Sequence, residues 1–110
     1  MHDFEMEMFR RHPAWKVVLE QYWEHQRLCR QYDPHHDGWV SRLSSIPGLT
    51  AEELPQAHGW LIALGFLKFD FPNRERGLMY QVSPLGKQVL DHAQHESGED
   101  ANTSTASTEA

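Results

Sequence analysis

The sequence has little cysteine and no long hydrophobic segment, and each shortage excludes a class of structure. Cys29 is the only cysteine among 110 residues, so the chain cannot form an internal disulfide. A single thiol is typical of a reducing compartment, and we therefore expect a cytoplasmic protein. The longest apolar run, 60–67, is far shorter than the roughly 20 residues that cross a bilayer, so we expect no membrane segment.

Positive charge is also scarce. The chain carries 10 Lys and Arg residues against 16 Asp and Glu residues, which gives a net charge of −6. Three of these acids lie beyond residue 96, yet the remaining 13 still outnumber the bases. An acidic chain lacks the general attraction to phosphate that most nucleic-acid binders show, although local basic patches are compatible with this balance.

Composition divides the chain into three parts. Residues 97–110 contain no large apolar side chain, so burial cannot offset the entropy of ordering them, and we predict a disordered tail. Residues 13–96 hold enough apolar material for one domain, and residues 1–12 form an N-terminal segment. Within that segment, FEMEMF at 4–9 fits either a short strand or the start of a helix.

A long helix is predicted from Pro13 to about Asp33. Proline suits the first turn of a helix, where its missing N–H is harmless, and Pro34 disfavours helical geometry at the residue before it. One face of this helix is apolar: Trp15, Val18, Leu19, Tyr22, Gln26 and Cys29.

Two further helices are predicted between residues 39 and 64. Apolar residues over 39–46 indicate a short second helix. Thr50 and Glu53 then match the T-x-x-E capping box, which predicts a third helix over 51–64 with Gly65 as its stop.

A hairpin and a last helix follow. Residues 66–71 and 78–82 alternate between apolar and polar side chains, as strands do. An antiparallel register that keeps the apolar residues on one face pairs Phe71 with Leu78, Phe69 with Tyr80, and Leu67 with Val82. Ser83 and Pro84 are suited to begin a final helix over 85–95.

The order of these elements over about residues 37–92 resembles the winged helix-turn-helix superfamily, in the style of MarR- and PadR-type regulators. The motifs that carry the resemblance are L-x-x-L-G-F-L at 61–67 and Y-Q-V-S-P-L-G-K at 80–87. The resemblance implies an α+β fold with a three-helix core and a two-stranded wing. The helix over 13–33 would be an addition at its N-terminal side.

The resemblance also implies a function, namely transcription regulation by DNA binding. Carried over, the wing tip offers Asn73, Arg74 and Arg76 to DNA, and the third helix offers Gln56 and His58. Regulators of this type usually dimerise through terminal helices. We therefore expect a homodimer or another protein contact at the edges of the first helix, where Trp23 and Tyr32 add apolar surface.

The residues of the third helix favour an alternative, a protein-interaction winged helix without direct DNA contact. The span 51–65 contains no Lys or Arg, although phosphate contacts supply most of the affinity for DNA. Its predicted outer face carries Gly59, Ile62 and Ala63, a flat apolar strip that allows another helix to approach closely. The sequence leaves both functions open.

Enzymatic and metal-binding interpretations have weaker support. The sequence contains no nucleophile elbow and no glycine-rich phosphate loop, so we expect no catalytic site. The segment DPHHDG at 33–38 offers histidine and aspartate, but adjacent side chains in a loop rarely converge on one ion, and a polar loop is the simpler interpretation. We assign no metal and no cofactor.

Overall fold

Residues 3–93, which the computed structural model describes, form an α+β fold of four helices and a three-stranded antiparallel sheet. The elements are α1 (Asp3–Arg11), α2 (Pro13–Tyr32), β1 (Val40–Ser41), α3 (Glu53–Ala63), β2 (Leu67–Asp70), β3 (Met79–Val82) and α4 (residues 84–93). None of the helices in this part of the chain is long and apolar enough to span a bilayer. The tail predicted over 97–110 lies outside the described residues.

The long helix α2 is the central element of the core, and its prediction is confirmed. Its buried side chains are Trp15, Val18, Leu19, Tyr22 and Gln26, as the apolar spacing indicated. Cys29, expected on the same face, is only partly buried. The helix ends at Tyr32, one residue before the expected boundary, and the Asp33 N–H bonds to the Cys29 carbonyl.

The N-terminal segment is helical, which settles the ambiguity over 4–9. Met6 and Phe9 lie three positions apart, so both face the core from one side of α1. The Phe9 ring meets Phe66 edge to face at a centroid distance of 5.9 Å. Helix α1 therefore belongs to the same core as α2.

The second helix predicted over 39–46 is wrong. Val40 and Ser41 form the strand β1 instead, and the rest of this stretch has no regular structure. Val40 faces the core while Ser41 is exposed, an alternation of period two that pairing with β3 imposes. The helix-turn-helix step of the implied fold is therefore absent from the described residues, and the sheet has three strands where a two-stranded wing was expected.

Helix α3 runs from Glu53 to Ala63, so it begins two residues after the predicted start and ends one residue before the predicted end. The Thr50 hydroxyl accepts the Glu53 N–H at 3.0 Å, and the Glu53 carboxylate accepts the Thr50 N–H at 2.9 Å. These two bonds form the capping box and satisfy amides that the first turn leaves without partners. After Ala63 the chain turns at Gly65, whose φ of +82° is a conformation that glycine adopts without strain.

The sheet has the order β1-β3-β2. Two of the three predicted pairs are confirmed, Leu67 with Val82 and Phe69 with Tyr80. The third pair lies beyond the end of the ladder. Burial follows the predicted face only in part, because Leu67, Tyr80 and Val82 are buried while Phe69 is exposed.

The junction between β3 and α4 is closely bonded to the start of β2. The Ser83 N–H bonds to the Phe66 carbonyl at 3.0 Å, and the Ser83 hydroxyl donates to the Gly65 carbonyl at 2.6 Å. The same hydroxyl accepts the Gly86 N–H, so it caps the helix as predicted. A Cβ at Gly86 would collide with the Phe66 carbonyl, which requires glycine at that position.

Gln26 closes the edge of the sheet where β1 is too short. The strand β1 begins at Val40, opposite Tyr80, so it does not reach the N–H of Val82 on the same side of β3. The Gln26 side-chain oxygen accepts that N–H at 2.7 Å from within the apolar face of α2. A buried amide therefore keeps a partner without a strand beside it.

We predict that Gln26→Leu lowers the free energy of unfolding by about 1–3 kcal/mol, because the buried Val82 N–H loses its acceptor. Urea denaturation followed by far-UV circular dichroism measures the change. The exposed Gln31 on the same helix provides the matched control, and Gln31→Leu should stay within about 0.5 kcal/mol of the original protein. Equal losses in the two variants would contradict the role of Gln26.

Candidate functional site

The outer face of α3 presents a flat apolar strip to solvent. Leu54, Ala57 and Leu61 pack into the core, which confirms the predicted inner face of this helix. On the opposite side, Gly59 and Ala63 are exposed and Ile62 is half-buried. We call these last three residues the α3 strip. The N-terminal helix α1 packs into the core through Met6 and Phe9 and leaves Gly59 and Ala63 exposed.

Three stacked rings border the α3 strip. Trp60 projects from α3 with 49% of its surface exposed, and its ring lies 5.6 Å from that of Trp15 at an angle of 23°. The His12 imidazole also stacks on Trp15, at 4.0 Å and 6°. The His12 Nδ1 atom lies 2.9 Å from the Met8 carbonyl, which fixes the orientation of that ring. We call His12, Trp15 and Trp60 the aromatic stack.

A cleft of about 460 Å³ lies beside the aromatic stack, between the start of α2 and the start of α3. Its lining mixes apolar and polar side chains: Arg11, His12, Pro13, Ala14, Trp15, Val17, Gly48, Leu49, Glu53 and Gln56. Gln56 is exposed on α3, so its amide is available to a bound group. The cleft can therefore take an apolar side chain and satisfy a polar group next to it.

The helix α3 itself carries no cation, and Arg11, which lines the cleft beside it, lies 3.1 Å from the Glu7 carboxylate. No Lys or Arg occurs in α3, and of its two expected DNA contacts only Gln56 is exposed. The prediction that His58 lies at the edge of the outer face is wrong, because only 2% of its surface is exposed. Its position four residues after the buried Leu54 could have indicated that His58 also faces inward.

His58 belongs to a buried chain of hydrogen bonds. Its Nδ1 lies 2.8 Å from the Leu54 carbonyl, which can only accept, so Nδ1 carries the proton. The neutral ring then accepts at Nε2 from the Tyr22 hydroxyl, 2.7 Å away. That hydroxyl in turn accepts the Leu43 N–H at 2.9 Å. Every polar atom in this chain has a partner, as burial requires.

The surroundings of His58 favour its neutral form. Burial lowers the pKa of His58, the hydrogen bond to Leu54 acts in the opposite direction, and the nearby Arg42 guanidinium lowers it further. Burial also raises the pKa of Tyr22 to about 12. The Tyr80 ring packs edge to face against His58 at 5.2 Å, and its hydroxyl accepts a bond from Arg42.

The tip of the β2–β3 hairpin carries the expected basic residues, but most of its polar groups are engaged. The Asn73 side-chain oxygen accepts the Arg76 N–H at 2.8 Å. The Arg76 guanidinium lies 3.3 Å from the Asp37 carboxylate. The pKa of Asp37 is lowered first by a bond from the Trp39 N–H and then by Arg76. Arg74 is exposed and makes no ion pair within the described part of the chain, so of the two hairpin arginines it is the more available to an anionic partner.

The two expected interface residues of α2 do not form one patch. Nine positions separate Trp23 from Tyr32, which places them on opposite sides of the helix. The Lys87 ammonium of α4 covers the Trp23 ring at 4.6 Å. Tyr32 is 89% exposed and stands next to Leu28, one turn earlier, so only this end of α2 presents free apolar surface.

The loop over 33–38 uses its polar groups to bond its own backbone. Asp33 accepts the His35 N–H, His36 accepts the Gly38 N–H, and Asp37 accepts the Trp39 N–H. Among residues 3–93, no three His, Cys, Asp or Glu side chains are grouped closely enough to hold a metal ion.

Sequence reasoning missed the aromatic stack. The sequence places His12 in the N-terminal segment and Trp15 on the apolar face of the first helix, and it gives no signal that these two rings meet Trp60. The missing information is the crossing of α2 and α3, which is a tertiary property that helical spacing alone does not contain.

No family model matches this chain, and the searches of curated proteins and of solved structures found no significant match.

Acidification should destabilise the protein through His58. Burial holds the pKa of its imidazole below the ordinary value of 6.5, which the unfolded chain regains. Between these two pKa values the unfolded state binds a proton that the folded state does not, so stability rises with pH across this window. We expect the free energy of unfolding to be level above about pH 7 and to fall as the solution is acidified below that point.

Urea titrations across this pH range measure the effect, and His58→Gln is the control because its amide does not titrate. The variant should be less stable at neutral pH but should lose less stability on acidification. An identical pH profile in both proteins would assign the titration to another group.

Proposed function

We propose that this chain is a non-catalytic regulatory module of the winged-helix type that binds another protein through the α3 strip. Part of the order of elements supports the fold assignment, because β1 lies between α2 and α3 and the β2–β3 hairpin leads into α4, while the helix expected over 39–46 is not formed. The three-stranded antiparallel sheet is compatible with a winged helix. Such folds serve many functions, so the surface and not the fold carries the proposal.

The observation that carries it is the exposed, uncharged face of α3. Gly59 and Ala63 are open to solvent beside a half-exposed Trp60, and no cation lies on the helix. Contiguous apolar surface on a folded protein is a mark of protein interaction sites. Tryptophan is also enriched among the residues that dominate protein–protein affinity.

The shape of the surface favours a helical partner with an apolar face. Small residues at 59 and 63 are four positions apart, so they follow one line along α3 and allow a second helix to approach closely. A large side chain from that partner can enter the cleft beside Trp15 and Trp60, where Gln56 offers a hydrogen bond at the rim.

DNA binding with a role in transcription regulation is the second candidate function. Arg74 supports it, because this exposed cation stands at the tip of the hairpin, the part of the chain that corresponds to a wing. Arg76 lies two positions away and can add a contact if it leaves Asp37. In this alternative the hairpin binds phosphates or the minor groove while α3 contributes little.

We predict that Ala63→Arg weakens capture of the protein partner by at least about tenfold, since a close helix contact would strand the new charge. Ala63 is exposed, so the free energy of unfolding should change by no more than about 0.5 kcal/mol. Quantitative affinity capture from the native host compares the variant with the original chain. The control is Gln31→Arg, which adds the same charge at the far end of α2.

Partners retained by the original chain and by Gln31→Arg but lost by Ala63→Arg support a protein-binding face. If Ala63→Arg keeps all its partners and binds random duplex DNA more tightly, α3 faces DNA and the proposal is wrong.

A separate experiment tests the second candidate. If the chain binds random duplex DNA, replacing Arg74 and Arg76 with alanine should reduce the slope of log affinity against log salt by up to about two phosphate contacts. Fluorescence anisotropy at several salt concentrations gives that slope, and replacing Arg10 and Arg27 on other elements is the charge-matched control. An unchanged slope in the hairpin variant would exclude the wing as the DNA contact.

A further inference from the structure

The strand β2 is an open edge of the sheet, since the order β1-β3-β2 gives it only one neighbour among the described residues. The direction of its backbone groups follows from one bond. The Phe66 carbonyl accepts the Ser83 N–H, so Phe66 faces β3. Antiparallel pairing alternates, so Lys68 and Asp70 also bond toward β3, while the N–H and C=O groups of Leu67 and Phe69 point to the open edge.

The side chains along this edge are unusually apolar for an unpaired strand. Phe69 is 55% exposed, and Phe71, just after the strand, is 56% exposed. Phe69 lies two positions after the buried Leu67 and so shares its face of the strand, and Phe71 follows directly after the strand with the same spacing. Natural proteins usually protect open edges, since unpaired backbone beside apolar side chains invites another strand.

The charges on the other face of β2 are arranged to match a second copy of the same strand. Lys68 and Asp70 have opposite signs and flank Phe69. When two copies pair antiparallel about a two-fold axis at Phe69, Lys68 of each copy lies opposite Asp70 of the other. Cross-strand pairs of opposite charge stabilise a sheet, and like charges destabilise it. Parallel in-register pairing would instead place lysine beside lysine.

We propose that this protein forms a homodimer by antiparallel pairing of its β2 edge strands about Phe69, which joins the two sheets into one of six strands. In this register the two Phe69 residues bond to each other through their backbones, and Phe71 of one copy lies beside Leu67 of the second. The flanking Lys68 and Asp70 pairs select this register.

The pairing closes at two copies. Both subunits use the same β2 edge, so no open β2 edge remains after two copies have paired. At the opposite edge of the sheet, β1 is only two residues long, and the Val82 N–H beside it is already bonded to Gln26. The sheet therefore grows from the β2 edge alone.

Sedimentation equilibrium tests the proposal, because a dimer doubles the 12.8 kDa mass of the chain. The original protein should approach the doubled mass as its concentration rises toward millimolar. Lys68→Asp makes both charged edge positions acidic, and Asp70→Lys makes both basic. Each variant alone should self-associate at least about tenfold more weakly. Both side chains are exposed in the monomer, and circular dichroism checks that each variant folds.

Mixing the two variants is the decisive step. One copy then supplies two acids and the other two bases, so the proposed register predicts a heterodimer at the affinity of the original protein. The double variant Lys68→Asp/Asp70→Lys should also regain self-association, since the exchange restores opposite charges across the axis. No other use of these two residues predicts both recoveries.

Hydrogen exchange of the original chain provides a second measurement that needs no variant. Protection of the Phe69 amide should increase with protein concentration, because that N–H is open in the monomer. A mass of 12.8 kDa at all concentrations would overturn the proposal. It would also be overturned by a dimer that ignores the charge variants and is lost on Tyr32→Ser, since the contact would then lie on α2.

Discussion

The hydroxyl of Tyr22 connects three parts of the chain that share no regular backbone bonding. It donates to His58 of α3, accepts the N–H of Leu43 from the irregular stretch after β1, and projects from the middle of α2. In a packed interior each of these groups would be costly without a partner, so the position of one fixes the positions of the other two. The stretch between β1 and α3 has no helical hydrogen bonds of its own. The bond from the Leu43 N–H to the Tyr22 hydroxyl attaches this stretch to α2 instead.

Local signals were sufficient for the elements whose determinants lie close together in sequence. The helix α3 lies within two residues of its predicted bounds, because the capping box of Thr50 and Glu53 and the positive φ of Gly65 are local properties. The prediction of a second helix was wrong because the structure of that stretch depends on residues far away in the sequence. The apolar residues over 39–46 suit a short helix, yet Val40 pairs with Tyr80, forty positions later, and such pairing overrides local preference.

The sequence predicted the part of the candidate surface that lies on one helix, but not the contacts that join different elements. Helical periodicity placed Gly59 and Ala63 outward, because the inner face of α3 is defined by its own leucines. It gave no means of knowing that Trp60 meets Trp15, or that Arg76 reaches Asp37 across thirty-nine positions. The polar Gln26 within an apolar face did carry a signal, since a buried amide in that position needs a specific partner.

The close contact between Gly86 and Phe66 has a consequence for how the protein unfolds. The first turn of α4 rests directly on the backbone that begins β2, and Ser83 bonds to both sides of that contact. Neither segment can separate while the other stays in place, so α4 and the base of the hairpin should open as one cooperative unit. The backbone amides in the first turn of α4 and those at the start of β2 should therefore become accessible to solvent in the same opening.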